Sequence, residues 1–384
     1  MTRWLCASLL ICALAAIAAP VHAAGPLLQE ATGLTGPVMW LSSGAPGLVL
    51  GAVDGNDTIV VGYGHVRPPG EQPRQPNPEP DGRTLIRLGS VSKAFAGELL
   101  ASLVIEGRVR LTDPLQQFVP ANVAVPKFGG RSITLLDLAT HSAGLPREMG
   151  YAPDGTPPFT WPTRADRFAW LSKQSLGWAP GSVAAYSNIG FDLLGDALEG
   201  ATGQPYATLL RQRITAPLGM VDTTLTPDAS QCARLMLGAG IGAPTNPVCT
   251  DTQATQASGG LYSTADDMVK WLRHQLDTGN PEVWPTLMVS HAIYRLRQSM
   301  PTAIGFDEGA PMAGLGLAWV MRAAHGGTPM ILDKSGGGGG FMSYVAFAPG
   351  RGVGVFVAVD RTDFGMFLGL VQAADGLLAT LTTR

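Results

Sequence analysis

A serine and a lysine three residues apart form the first pair in this chain that could do chemistry together. Ser90 and Lys93 open an apolar segment with helical spacing, and residues i and i+3 of a helix share one face. A serine hydroxyl becomes a nucleophile when a neighbouring base takes its proton, and a lysine can be that base where burial and nearby cations lower its pKa. The pair predicts a nucleophile and its base within one turn, with a capping serine beside a solvated lysine as the alternative.

A second candidate pair stands in a turn before another predicted helix. Tyr186 carries a hydroxyl that loses its proton more readily beside a lysine ammonium. It could then act as a general base or pass a proton to a leaving group. Asn188 offers both a donor and an acceptor to a substrate amide. Taken alone, the pair fits equally a buried tyrosine with a satisfied hydroxyl beside an asparagine turn.

A third candidate group ends a predicted strand and runs into a series of glycines. Lys334 offers positive charge to a substrate carboxylate, and Ser335 offers a second hydrogen bond. Gly336 lets a substrate backbone lie against the strand. The backbone N–H of Gly337 is predicted to join that of Ser90 in an oxyanion hole. The alternative is a flexible glycine turn with an exposed lysine.

The elements that must position these groups come from both ends of the chain. Alternating and β-rich segments separated by turn residues predict strands, and they are followed by a C-terminal amphipathic helix at residues 364–381. The predicted strands cover residues 47–53, 58–63, 84–88, 316–322, 330–334, 341–347 and 353–359. The middle of the chain predicts helices and loops. The pattern indicates an α+β fold in which an antiparallel sheet is flanked by helices and carries an inserted, mainly helical lobe.

We expect the sheet lobe to take residues from about 24–110 and 305–384, and the helical lobe to take about 111–304. Hydrophobic residues make up 46% of the chain and charged residues 14%, so a large core is expected. The net charge of −3 and the lack of a basic stripe exclude a nucleic-acid-binding function.

The first 23 residues combine a basic start, an apolar run and small residues, which predicts a secretory signal cleaved after Ala23, with an uncleaved anchor as the alternative. Export would permit a disulfide between Cys232 and Cys249, but the sequence leaves that pairing open. Their spacing does not resemble a metal site. We predict neither a metal nor an organic cofactor.

The three motifs together, in this order on helix, turn and strand, resemble the serine penicillin-recognising enzymes. That family includes class C β-lactamases, low-molecular-weight D,D-peptidases and related esterases. Residues 133–148, 161–164, 185–188, 217–220 and 334–344 are similar to the AmpH-type D-alanyl-D-alanine carboxypeptidase/endopeptidase branch. One departure is Ser335, where the family commonly has threonine; the hydroxyl is retained.

The resemblance implies a β-lactamase/transpeptidase-like fold and a periplasmic serine D,D-peptidase acting on peptidoglycan stem peptides and cross-links. It implies that Ser90 attacks the D-Ala amide carbonyl, that Lys93 accepts the serine proton, and that Tyr186 relays a proton to the leaving amine. β-Lactams would bind covalently to the same serine. By the same resemblance, His141 is interpreted as a hydrogen-bonded packing residue.

Several alternatives stay open from the sequence. A class C-like β-lactamase shares the acyl-enzyme and differs in how fast water clears it. An esterase of the same fold is a second alternative. A non-catalytic peptidoglycan-binding protein is a third, although it would need neither nucleophile nor base. The preference between carboxypeptidase and endopeptidase activity, the oligomeric state, and any peripheral association with the inner membrane are also left open.

Overall fold

The computed structural model describes residues 24–67, 77–243, 249–306 and 311–383. The predicted signal sequence, residues 1–23, lies outside the described residues. Within them, eight antiparallel strands form one sheet: β1 Gly47–Asp54, β2 Asp57–Gly64, β3 Arg295–Leu296, β4 Gly314–Leu315, β5 Val320–Arg322, β6 Ile331–Gly338, β7 Phe341–Ala348 and β8 Val353–Val359. Their order across the sheet is β2-β1-β8-β7-β6-β5-β4-β3, so the two ends of the chain meet where β1 pairs with β8.

Ten α-helices surround this sheet in the described part of the chain. They are α1 Pro26–Ser43, α2 Ser92–Ile105, α3 Leu135–Ala139, α4 Arg164–Leu171, α5 Asn188–Thr202, α6 Tyr206–Leu210, α7 Ala229–Cys232, α8 Ala265–Leu276, α9 Trp284–His291 and α10 Phe364–Thr382. Shorter two-residue strand pairs join the loops: Ile86–Arg87 with Tyr262–Ser263, Lys127–Phe128 with Arg131–Ser132, Ala184–Ala185 with Ala303–Ile304, and Ala239–Gly240 with Arg361–Thr362.

Both faces of the sheet are covered, because successive side chains of a strand point to opposite sides. In β1, Leu48 and Leu50 pack with α1 and α10, whereas Val49 and Val53 belong to the core that contains α2 and α8. Every residue of β8 is buried. The sheet is therefore packed on both faces, and this packing fixes the position of β6, which carries Lys334 and Ser335.

The structure confirms most of the predicted strands and the C-terminal helix. The predicted strand at 316–322 is confirmed only over its last three residues, Val320–Arg322. Its first part is a turn between β4 and β5, where the Gly316 N–H donates to the Trp319 carbonyl and Ala318 adopts a φ of 70°. Strand β6 continues past its predicted end through Gly338, because its glycines pair in register with β7. Helices α1 and α9 were not predicted. The pairing that the sequence left open is present as a Cys232–Cys249 disulfide.

The proposed division into two lobes stays a prediction. Helices α3, α4 and α6 pack on α5, and α5 and α6 pack on α2, as expected of a helical lobe. Helix α8 lies in the same predicted segment, yet it packs on β1 and β8. The segment from 111 to 304 thus contributes to the sheet layer as well as to the helices beside it.

Candidate active site

Ser90 lies in a tight 3₁₀ turn, Gly89–Val91, immediately before α2. Gly89 has a φ of 52°, and a Cβ atom at this position would lie 2.7 Å from the backbone nitrogen of Gly337. The turn is tied to β7 because the Ser343 hydroxyl donates to the Leu88 carbonyl over 2.7 Å. The serine is half-buried, so its hydroxyl stands at an accessible surface on a fixed backbone.

Lys93 occupies the first turn of α2 and is fully buried. Its Nζ lies 2.9 Å from Ser90 Oγ. The same nitrogen donates to Asn188 Oδ1 over 2.6 Å and to the Ser258 carbonyl over 2.5 Å. These two acceptors come from α5 and from the loop before α8, and they hold the amine against the serine hydroxyl.

The surroundings of Lys93 favour its neutral form. Burial lowers the pKa of Lys93 most strongly, Tyr186 raises it in part, and the positive charge of Lys334 lowers it further, with a lowered pKa as the result. A buried amine with a lowered pKa can accept a proton near neutral pH. The Ser90 hydroxyl lies within hydrogen-bonding distance of this amine.

Tyr186 lies between the two lysines. Its ring centroid is 5.0 Å from Lys93 Nζ and 5.1 Å from Lys334 Nζ. Burial raises the pKa of the Tyr186 phenol, but the charges of Lys334 and Lys93 and a hydrogen bond with Ser90 lower it more, to about 8. A phenol with this pKa can exchange a proton at neutral pH.

His141 supports this tyrosine from the side away from solvent. Its ring stacks on Tyr186 with centroids 4.1 Å apart, and its Nδ1 accepts the Ser187 backbone N–H over 3.0 Å. Burial and the charges of Lys93 and Lys334 hold the pKa of His141 well below its usual value. A buried, neutral, stacked ring agrees with the interpretation of His141 as a packing residue.

The third motif runs along β6 directly beside the serine turn. Lys334 is buried, and its ammonium donates to the Ser335 carbonyl over 2.9 Å. Ser335 and Gly337 are half-buried. A Cβ atom on Gly336 would lie 2.1 Å from the Leu88 carbonyl oxygen, so only glycine allows this strand to approach the turn.

The structure therefore brings the three separated motifs into one cleft. The predicted residues that meet there are Ser90, Lys93, Tyr186, Asn188, Lys334, Ser335, Gly336 and Gly337. They come from the start of α2, the start of α5 and the end of β6. The arrangement has a nucleophile, an adjacent amine, a perturbed phenol and a buried cation, which together suit acyl transfer.

A comparison with protein-family models identifies residues 24–375 as a beta-lactamase domain. The chain belongs to the β-lactamase family. Its fold prediction is confirmed by a solved structure from Yersinia pestis, a beta-lactamase/D-alanine carboxypeptidase in complex with citrate. That structure has a TM-score of 0.83 and 39% identity, covering 91% of this chain and 98% of the other. A class C beta-lactamase, 18% identical, shares the fold with a TM-score of 0.73 over 93% of this chain and 97% of its own.

Among curated proteins, this member of the β-lactamase family is similar to the D-alanyl-D-alanine-carboxypeptidase/endopeptidase AmpH of Escherichia coli K12. The two are 38% identical over 387 residues, covering 100% of this chain and 97% of AmpH. A beta-lactamase of Pseudomonas fluorescens is 24% identical, covering 82% of this chain and 88% of that protein. The predicted AmpH-type resemblance is confirmed, and the chain is an enzyme of the β-lactamase serine hydrolases.

Three groups at this site were not found from the sequence. The Ser258 carbonyl, which accepts from Lys93, is a backbone atom and leaves no side-chain signature. Glu148 accepts a hydrogen bond from the Asn188 amide, and the Arg147 guanidinium lies 4.6 Å from the Tyr186 ring centroid. Both belong to the segment 133–148 that carries the family resemblance, but only folding shows that they border the site.

Metal ligands are not gathered in the parts of the chain that the structure describes. Across residues 24–67, 77–243, 249–306 and 311–383, no three His, Cys, Asp or Glu side chains group as a metal site would require.

Proposed function

We propose that this enzyme is a serine D,D-carboxypeptidase/D,D-endopeptidase that acts on peptidoglycan stem peptides and cross-links through an acyl-enzyme on Ser90. The observation that carries the proposal is the contact of a fully buried lysine amine with the serine hydroxyl, 2.9 Å from Lys93 Nζ to Ser90 Oγ. The similar AmpH protein is named a carboxypeptidase and endopeptidase, which supports the substrate class.

In the acylation step, neutral Lys93 accepts the hydroxyl proton as Ser90 Oγ bonds to the carbonyl carbon of a D-Ala amide. The carbonyl oxygen becomes an oxyanion, and the backbone N–H groups of Ser90 and Gly337 are assigned to stabilise it. Their two segments are in contact, since a Cβ on Gly336 would lie 3.0 Å from the Ser90 nitrogen. The C–N bond then breaks and leaves the acyl group on the serine.

The remaining groups handle the leaving amine and the substrate ends. Tyr186 is assigned to relay a proton to the amine nitrogen and later to help water attack the acyl-enzyme, because its pKa of about 8 suits transfer in both directions. Asn188 would hold the substrate amide. Lys334 and Ser335 would face the terminal carboxylate. Penicillins, which carry an equivalent carboxylate and a reactive amide, would bind covalently at the same serine.

Digestion of purified muropeptides tests the proposal. The wild-type enzyme should release D-Ala from pentapeptide stems and split D,D cross-links, as followed by liquid chromatography. Ser90→Ala should fold with the same circular dichroism spectrum and release neither product. Release of D-Ala by Ser90→Ala at the wild-type rate would refute the assignment.

A β-lactamase is the second candidate, since a similar protein from Pseudomonas fluorescens carries that name. The two functions share the acyl-enzyme and differ in deacylation. Steady-state turnover of a penicillin, measured beside D-Ala release, separates them: a peptidase stays acylated by penicillin, whereas a β-lactamase hydrolyses many equivalents. Hydrolysis of short-chain esters in preference to both substrates would favour an esterase of the same fold.

We also propose that the mature enzyme works in the periplasm after cleavage at Ala23. N-terminal sequencing of the protein recovered from the periplasm tests this. Peripheral contact with the inner membrane is a further proposal. It is supported by exposed apolar side chains on the neighbouring helices α1 and α10, among them Leu34, Leu41, Phe364 and Leu368. Helix α10 is long and apolar enough to span a membrane, but its inner side is buried against the sheet.

A further inference from the structure

Three carboxylates follow one another along α5 behind the site. Asp192, Asp196 and Glu199 are spaced four and three residues apart, which places them on one face of the helix. Two of them bind the segment 254–258 that ends at Ser258. The Glu199 carboxylate accepts from the Gln256 amide over 3.2 Å, and Asp192 Oδ1 accepts the Ser258 backbone N–H over 3.1 Å.

The middle carboxylate acts on the same segment through an arginine. Asp196 is paired with buried Arg167 by two hydrogen bonds of 2.8 and 2.9 Å. The guanidinium also donates to the Ala254 carbonyl over 2.5 Å. The carboxylates of α5 thus fix the segment that supplies the Ser258 carbonyl to Lys93.

Asp192 stands closest to the chemistry in this group. The Ser258 residue joins it to the base, because the Ser258 N–H donates to Asp192 while the Ser258 carbonyl accepts from Lys93 Nζ over 2.5 Å. Asp192 is only 2% exposed. An asparagine could accept the same backbone hydrogen bond without burying a charge, so the carboxylate calls for an explanation beyond packing.

We propose that Asp192 is a positioning residue for Lys93: through Ser258 it fixes the amine against the Ser90 hydroxyl, and its negative charge sets how readily the amine gives up a proton. This inference rests on the proposed function, in which Lys93 is the base. It adds a buried carboxylate, which does not touch the substrate, to the groups that govern the proton affinity of the base.

The groups around Asp192 determine when it is charged. Burial raises its pKa to about 7, although Arg167, the Ser258 N–H and Lys93 lower it and Asp196 raises it. The Tyr206 phenol of α6 also interacts with Asp192, whose negative charge raises the pKa of that phenol. The carboxylate therefore gains its charge near neutral pH.

The groups around Lys93 determine whether loss of the Asp192 charge raises or lowers the pKa of the amine. Burial lowers the pKa of Lys93 most, Tyr186 raises it, Lys334 lowers it, and the ionised Asp192 raises it. His141 is held neutral nearby. Removing the charge at position 192 lowers the pKa of the base, so the base becomes available at lower pH.

The test is the rate of acylation by a fluorescent penicillin as a function of pH. Asp192→Asn keeps an acceptor oxygen for Ser258 and loses the charge. We expect it to move the acid limb of the profile to lower pH by less than about one unit, because Asp192 is the weakest of the named influences on Lys93 and is itself only partly ionised near pH 7. Asp192→Ala loses the acceptor too, and its plateau rate should fall about 100-fold, as a 1 Å misplacement would cause. Glu199→Gln also removes a charge from this helix face, but the Glu199 carboxylate contacts Gln256 and not Ser258 itself, so this variant should keep the wild-type midpoint.

An Asp192→Asn midpoint equal to that of wild type would overturn the charge effect, and a wild-type plateau for folded Asp192→Ala would overturn the positioning effect. Thermal melts establish that each variant is folded. If Asp192→Ala does not fold, the Asp192→Asn midpoint still decides. Failure of the proposed function looks different, because wild-type protein would then form no adduct on Ser90 at any pH.

Discussion

Helix α2 carries two buried ionisable side chains whose surroundings differ sharply. Glu98, 3% exposed, accepts hydrogen bonds from Trp271 Nε1 over 2.8 Å and from Gln275 Nε2 over 2.7 Å, and it pairs with His274 Nε2 over 2.7 Å. Burial raises the pKa of Glu98, but these partners lower it more. The buried negative charge is thus balanced by three hydrogen-bond partners, one of which, His274, carries a positive charge when protonated.

Lys93, less than two turns earlier, is buried beside a second cation instead. Burial lowers its pKa most, Tyr186 raises it in part and Lys334 lowers it further. One of its hydrogen-bond partners is the half-buried Ser90. Removing one partner of a compensated buried charge destabilises a fold, whereas a charge close to another of the same sign has a perturbed proton affinity and can do chemistry. The same helix serves both purposes, with Lys93 in its first turn and Glu98 in its middle.

The largest expected effect is on Lys93. Lys93→Ala should lower the rate of acylation by penicillin about 10²–10⁴-fold, because the serine loses its general base. Stopped-flow fluorescence with a labelled penicillin measures this rate. Lys270→Ala, which removes a surface lysine paired with Asp267, is the matched control and should acylate normally. An equal rate in both variants would contradict the contrast between the two regions.

At Glu98 the expected effect is on stability. Glu98→Ala should lower the free energy of unfolding by about 3 kcal/mol, because it leaves several buried donors without their acceptor. Glu106→Ala, at the exposed end of the same helix where the partner is Arg213, should cost less than about 1 kcal/mol. Urea denaturation compares them. Similar losses of unfolding free energy in the two variants would show that the buried partners of Glu98 contribute no more to stability than an exposed ion pair.

Tyr186 reports directly on the crowding of positive charge. An ultraviolet difference titration, wild type minus Tyr186→Phe, should show one phenol ionising with a pKa of about 8. Lys334 is the strongest of the influences that lower this pKa. Lys334→Ala should therefore move the midpoint up toward the ordinary value of 10.0. An unchanged midpoint in that variant would mean that the charge of Lys334 does not lower the pKa of the Tyr186 phenol.

The smallest expected effect is the pH dependence of the Glu98–His274 pair. Burial lowers the pKa of His274, but Glu98 raises it more, above the ordinary 6.5. Protonated His274 therefore stabilises the folded state fully below pH 6.5, and this stabilisation is lost as pH rises through the pKa of the folded state. Glu98, whose pKa is lowered, stabilises above 4.5 and loses this as pH falls through its folded value.

The stability difference between wild type and His274→Gln should therefore be greatest between about pH 4.5 and 6.5 and decline above. We expect it to reach about 1 kcal/mol. Urea unfolding at a series of pH values measures it. A difference that grows with rising pH would have the wrong sign for an ion pair.

Much of this fold follows from local sequence patterns, and the exceptions have physical causes. Strand-forming residues bounded by turn signals predicted β1, β2, β7 and β8, although β2 is only half-buried whereas the other three are buried almost throughout. Helix α1 escaped prediction because Gly36 and Pro37 stand inside it, and both residues disfavour helix interiors. Packing on α10 and β2 maintains it, and packing between distant segments leaves no local signal.

The site was predictable where a side chain carries the chemistry. Ser90 and Lys93 are linked by helical spacing alone. Tyr186 and Lys334 were candidates by residue type and position, and the family resemblance joined the three motifs into one site. The Ser258 carbonyl and the Asp192 carboxyl were missed because one is a backbone atom and the other acts through it. Such contacts exist only after the loop before α8 has folded against α5.

The intact mass of the protein after incubation with a penicillin shows whether Ser90 is the nucleophile. Wild type should gain the mass of one penicillin per chain, the adduct should map to the peptide containing Ser90, and Ser90→Ala should gain nothing. No gain on folded wild type, or an equal gain on Ser90→Ala, would contradict the assignment of Ser90 as the nucleophile.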